Sequence, residues 1–269
     1  MIRMSCWMVV ALGLALMLAG CGTQQEQVRA DQQAPAPPLT SPDAHAAPYT
    51  VTLPTWSVGA RLVFTAEVYA EGTSGAGIGK GVNRWTEGFE AVERQGDRVR
   101  VRYAVASLPP VEFWIAADGS VTLIAAPPSW KRRAQDLLPL LEQQLGKTFS
   151  VGERMPITLP TDGLVDPRPS WLGTTVTADG VFAGYRLLEG RQVAEFRSSA
   201  NNLLQSPASY GPDGTVTRFS LDSVEYFDVA TRHRVAIYQT TVMEGTSLQG
   251  VPWTVRAVKL SRLDGAQSR

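Results

Sequence analysis

Histidine occurs only at His45 and His233 in the 269 residues, and cysteine only at Cys6 and Cys21. Those two counts bound most covalent chemistry. A Ser–His–Asp arrangement in the folded part would have to use His233, which stands between Arg232 and Arg234 with no carboxylate beside it to orient the ring. A zinc site built on several histidines is excluded by the same count. The glycine-rich run Glu71–Gly81, EGTSGAGIGKG, fails as a phosphate loop: Ser74 stands where the first glycine is needed, and Gly81 where a Ser or Thr should follow Lys80. Between two strand patterns it reads instead as a hairpin loop. The acid pairs Glu87/Glu90 and Asp222/Glu225 are spaced by three, so on strands their members fall on opposite faces. Gly211–Val216 lacks the repeated Asp of a calcium loop. No catalytic set, cofactor or metal site emerges, and the chain reads as non-enzymatic.

Cys21 is the exception, because of what precedes it. Arg3 opens the chain with a positive charge, and an apolar stretch from Trp7 to Leu18 follows, too short to span a bilayer core of about 30 Å. It ends in Leu18-Ala19-Gly20-Cys21. This resembles the lipobox of bacterial lipoproteins. The resemblance implies cleavage between Gly20 and Cys21 and acylation at the Cys21 thiol and then the new amino group. The alternative is an ordinary secretory signal or an N-terminal anchor helix. Two or three acyl chains hold a protein on a membrane durably, at about 0.8 kcal/mol per buried CH₂. Gly22 and Thr23 follow the cysteine rather than Asp; by the same resemblance this favours the outer membrane in a cell that has one. With Cys6 in the signal and Cys21 capped, the mature chain would hold no disulfide and no thiol nucleophile.

The expected domain plan is a signal over 1–20, the lipidated cysteine and a Pro/Gln/Ala tether over 21–52, and one β-rich domain over 53–265. The tether shows no apolar period. Formal net charge is zero, which gives no electrostatic case for nucleic acid.

The elements that must position any site read as strands. In Asp97–Val105, Val99, Val101, Tyr103 and Val105 alternate with Arg98, Arg100 and Arg102. A slip of one residue would bury three guanidinium groups, so the register is firmly set. Further strands are predicted at Arg61–Tyr69, Val82–Glu93, Val111–Ala116, Val121–Ala125, Glu153–Leu159, Gly173–Ala178, Phe182–Glu189, Gln192–Ser199, Val216–Asp228, His233–Met243 and Thr254–Ser261. Gly96-Asp97, Asp118-Gly119, Asp179-Gly180, Glu189-Gly190 and Asp213-Gly214 read as the turns between them. One helix is predicted over 129–146, with Ser129 as its N-cap, an apolar stripe of Trp130, Ala134, Leu137, Leu138, Leu141 and Leu145, and an interruption at Pro139. Lys131, Arg132 and Arg133 crowd its first turn against the macrodipole. They form either a plain exposed face or a surface patch for lipid headgroups or a partner.

Two ten-residue stretches match: TWSVGARLVF from Thr55 and TFSVGERMPI from Thr148. They divide the domain into two halves, 55–128 and 148–265, about the helix. Duplication of one β unit explains them, and so does the frequency of such glycines where loops enter strands.

The predicted fold is mainly β with one helix (α+β), a curved antiparallel sheet or sheets. Together with the lipobox and tether, this layout resembles the LolA, LolB and LppX lipid-carrier group of the bacterial envelope; the run DGTVTRFSLD in the second half is similar to uncharacterised bacterial lipoproteins. The resemblance implies an apolar ligand, or a lipidated partner, held between sheet and helix. The alternative is a structural or assembly lipoprotein that holds another envelope protein through a sheet face or edge.

Overall fold

The computed structural model describes residues 47–52, 57–74, 77–105, 109–118, 120–126, 146–160, 175–201, 208–209 and 214–267. The signal, Gly20, Cys21, most of the tether, the helix expected at 129–146 up to Gly146, and the patch Lys131, Arg132 and Arg133 lie outside them. No helix occurs among the described residues; the chain there is β throughout.

The strands are β1 (Tyr49–Thr50), β2 (Arg61–Ser74), β3 (Gly77–Gln95), β4 (Arg98–Val105), β5 (Val111–Ile115), β6 (Val121–Ala125), β7 (Thr148–Phe149), β8 (Arg154–Pro160), β9 (Thr175–Leu188), β10 (Arg191–Ala200), β11 (Ala208–Ser209), β12 (Thr215–Asp228), β13 (Arg234–Thr246) and β14 (Pro252–Gln267). β1 and β7 make a small separate ribbon. The rest form one antiparallel sheet in the order β6-β5-β4-β3-β2-β14-β13-β12-β10-β9-β8, with β11 beside β12. The chain thus lays down two meanders. The first runs outward from β2 to the edge strand β6; the second starts at the opposite edge, β8, and runs inward until β14 pairs with β2.

The matched stretches both form the turn that opens a meander. Ala60 N donates to Ser57 O at 2.9 Å, and Glu153 N to Ser150 O at 3.2 Å. Each turn has its glycine in left-handed backbone, Gly59 at φ 84° and Gly152 at φ 77°, where a side chain would be strained. Each glycine also donates to the second strand of its own meander, Gly59 N to Ala91 O and Gly152 N to Phe182 O. A strand then begins at Arg61 and at Arg154.

Two expectations need correction. Asp179-Gly180 is not a turn, and the strands predicted on its two sides are one, β9. Asp179 pairs with Pro156 on one side and Ser199 on the other, and Gly180 with Met155 and Ser198; ladders on both flanks override a local turn signal. The glycine-rich run does form a hairpin, as read, but little of it is loop. β2 and β3 stay paired through Glu71↔Lys80, Gly72↔Gly79 and Ser74↔Gly77, so both strands are longer than predicted.

Eleven strands about 4.8 Å apart would make a flat sheet about 50 Å wide, and twisted sheets of that width curl. Extra residues that bend the strands occur at Val92, Ile124, Ala183, Thr217, Val235 and Asp264.

Candidate functional site

The register sorts side chains onto two faces, since cross-strand partners point the same way. One face carries most of the buried apolar side chains. In the first meander it carries Leu62, Phe64, Ala91, Val99, Val101, Val111 and Phe113, which form one buried cluster. Across the centre it carries Ala66, Val68, Ala70 and Trp85, then Val255 and Ala257, then Met243, Phe219 and Leu221, all buried. At the far side lie Ala194, Phe182 and half-buried Phe196, Tyr185 and Met155.

The sequence places these residues by alternation. Along β2, Leu62, Phe64, Ala66, Val68 and Ala70 point inward, while Val63, Thr65, Glu67 and Tyr69 point out. The arginines of β4 take the outer face as predicted. Arg102 pairs with Glu112 at 2.9 Å and Glu90 at 3.6 Å, and Arg98 stacks over Trp114 at 4.7 Å. Small residues recur at the centre of the inner face. Gly245 is the clearest: a Cβ there would run into the Trp253 ring and the Thr215 carbonyl, so the indole fills the space across the strand pair.

Among the described elements, β1 and β7 stand outside the sheet. They lie over the inner face at its β9–β10 side. Tyr49 and Phe149 meet Phe196 with ring centroids at 5.3 and 5.2 Å, and Phe196 meets Phe182 at 5.3 Å. Edge-on and tilted contacts of this kind suit aromatic quadrupoles.

The inner face is interrupted by polar residues in two places: a row of Lys259, Gln239, Ser223 and Ser198 in register across β14, β13, β12 and β10, and a group around Glu87. Glu87 of β3 is buried and accepts from Tyr103 Oη at 2.8 Å and Ser261 Oγ at 3.0 Å. Burial alone would raise its carboxyl; the Lys259 and Arg234 charges and the two hydrogen bonds outweigh it and hold the group below its ordinary value. Arg234 also pairs with Glu225 at 3.4 Å. Two acids and two cations balance, so the group adds hydrogen-bonding capacity to an apolar surface without adding net charge. The other members of the two acid pairs fall on the outer face: Glu90 pairs in register with Arg102, and Asp222 with Thr240.

A buried ion cluster sits on the outer face. Glu195 is fully buried, pairs with buried Arg186 and with Arg197 at 2.6 Å, and lies opposite Gly184, whose φ is 109° at the bend in β9. Burial, then the Glu195 charge, push the Tyr226 hydroxyl up. Nothing in the sequence marks this cluster, because Arg186 on the neighbouring strand reads as one more outer-face residue and Tyr226 arrives only from β12. Val193, Tyr226, Tyr238 and Leu260 pack beside it on the same face.

His233 is buried in the turn before β13, where its carbonyl accepts from Asp228 N at 2.9 Å. Among the described residues, no group of three or more His, Cys, Asp or Glu is placed to hold a metal ion. No helix among them is long and apolar enough to cross a membrane.

No protein-family profile matches the chain, and no curated protein matches it. Solved structures similar to it include one titled for lipid–protein interactions in lipovitellin, at 11% identity and a TM-score of 0.43 over 80% of this chain and 26% of that one. The chain therefore spans about a quarter of that protein's length. A DUF1329 family protein from Desulfovibrio piger aligns at 10% identity, over 77% of this chain and 87% of its own, with a TM-score of 0.14. Ail, the attachment invasion locus protein of Yersinia pestis, aligns at 8% identity over 77% and 99%, with a TM-score of 0.15. Likeness at this level carries no functional argument. The functional reading rests on this chain's own residues.

Proposed function

We propose that the protein is a lipid-anchored lipoprotein of the bacterial envelope that holds an acyl-bearing ligand, a lipid or a lipidated partner, against the inner face of its sheet. Its place is the outer membrane where the cell has one, and its action is non-enzymatic. One observation carries the reading: apolar side chains from Phe113 on β5 to Phe182 on β9 gather on one face of the sheet, to either side of the polar row Lys259, Gln239, Ser223 and Ser198. The sequence Leu18-Ala19-Gly20-Cys21 supports the anchor. Sliding an acyl chain from water onto apolar side chains gains about 0.8 kcal/mol per CH₂.

The test uses the full acylated chain, extracted gently from membranes and measured intact by native mass spectrometry. The reading expects bound lipid mass beyond the acyl groups on Cys21, displaced by the apolar dye 1-N-phenylnaphthylamine. A clean protein mass together with no dye binding overturns it. Cys21→Ala is expected to abolish acyl labelling.

A second reading, attachment of another envelope protein by strand addition, is favoured by the contrast between the two sheet edges. β8, RMPITLP, carries Pro156 and Pro160, which lack the N–H that a further strand would need. β6, VTLIA, carries neither proline nor charge, and Ile124 stands exposed on it. A stable co-purified protein lost on Leu123→Pro would support strand addition.

A further inference from the structure

The chain enters the fold at one end of the sheet, and that end is unusual. The Pro48 carbonyl accepts from Tyr185 Oη at 3.3 Å, and Arg232 lies 5.4 Å over the Tyr49 ring. Two residues beyond Tyr185, the β9–β10 hairpin ends in Leu187, 79% exposed, and a tight turn at Glu189 and Gly190. Beside it lies a depression of about 200 Å³ lined by Leu188, Glu189, Arg191, Tyr238, Arg262 and Leu263, among others. That is below the usual 300–1,000 Å³ of a pocket for a drug-sized ligand. Arg262 donates to Tyr238 Oη at 2.7 Å and stacks over its ring at 5.6 Å, which fixes the guanidinium at the rim. Its lining carries two cations, Arg191 and Arg262, and one acid, Glu189.

Leu187, paired with Gln192, points to the inner face and Arg191, paired with Leu188, to the outer face, so the tip presented end-on offers an exposed leucine with a cation on its other side. That matches the lipid–water boundary, where an apolar side chain enters the acyl region and cations meet phosphates. Ala47, where the described residues begin, lies at the same end, next to Pro48. From Cys21 to Ala47 is 26 residues, and a flexible chain of that length has a root-mean-square span of about 28 Å. A tether this short keeps the tip at an effective concentration near millimolar over the bilayer, so a weak contact suffices.

We propose that the β9–β10 tip docks on an anionic phospholipid surface, with Leu187 inserted at the headgroup boundary and Arg191 and Arg262 on lipid phosphates. The proposal rests on the anchor reading for its proximity. Acylated full chain carrying Leu187→Cys, spin-labelled at what is then its one free thiol, is bound to vesicles of phosphatidylcholine with 30% phosphatidylglycerol. Leu248→Cys is the control, because Leu248 is also exposed but lies in the β13–β14 connection at the opposite end of the strands. The expected result is a label at 187 several-fold more accessible to oxygen than to a nickel chelate, with the label at 248 aqueous. Adding Arg191→Glu should return the 187 label to the aqueous value. Two aqueous labels on a chain that still floats with the vesicles overturn docking and leave the anchor standing. A chain that does not float overturns both.

Discussion

Glu195→Ala gives the sharpest test of the packing. Glu195 has 0% side-chain exposure and Arg186 5%, whereas Arg197 is half exposed. Removing the carboxylate takes away the charge paired with the buried Arg186 guanidinium, a loss of about 3–5 kcal/mol. The exposed Arg197 pair adds at most about 1 kcal/mol. Domains have about 5–15 kcal/mol in all, so the variant should sit near its unfolding threshold. Replacing the pair together, Arg186→Met with Glu195→Leu, removes both charges. It should fall within about 1 kcal/mol of the parent or exceed it, since desolvating two ions offsets much of their attraction. Urea unfolding followed by tryptophan fluorescence measures both. A Glu195→Ala loss below about 1 kcal/mol at unchanged m-value would refute the burial argument, as would a double variant no better than the single.

Three further outcomes follow from particular residues. Glu87 has a lowered carboxyl pKa in the fold, so its stabilisation is present above the ordinary value of 4.5 and is lost as pH falls through the folded value. Glu87→Gln should therefore be less stable at pH 7 and show a flatter fall in urea midpoint below about pH 4.5. Gly245→Ala should cost about 1–3 kcal/mol in the same assay, because the new methyl meets the Trp253 ring and the Thr215 backbone. Restoring N–H groups at the guarded edge with Pro156→Thr and Pro160→Thr should produce concentration-dependent self-association in sedimentation velocity, where the parent shows less.

Much of the sheet was legible, because alternation is enforced twice in β4: valines on one face, arginines on the other, each penalised by a slip. The matched SVG turns were legible too, and both prove to be glycine turns at the start of a meander. Asp179-Gly180 misled because a turn dipeptide is only a local preference, and β8 and β10 hold it extended from either side. The length of the β2–β3 hairpin was hidden by glycines, which carry no pattern. Glu195 could not be found in sequence. Val193, Glu195 and Arg197 read as an ordinary mixed outer face, and only the arrival of Tyr226 from β12 and Arg186 from β9 buries the acid. The apolar side chains were legible strand by strand, but their meeting on one face depends on β14 pairing with β2, the last and first strands of the sheet in chain order.

The central claim is that the inner face holds an acyl-bearing ligand. The most direct measurement is the intact mass of the acylated full chain released gently from membranes. The account predicts a population heavier than the triacylated protein by the mass of a lipid or a lipidated partner, which collapses to the protein mass when the dye is added in excess. A single species at the mass of the acylated protein alone, with the dye unbound, would contradict it.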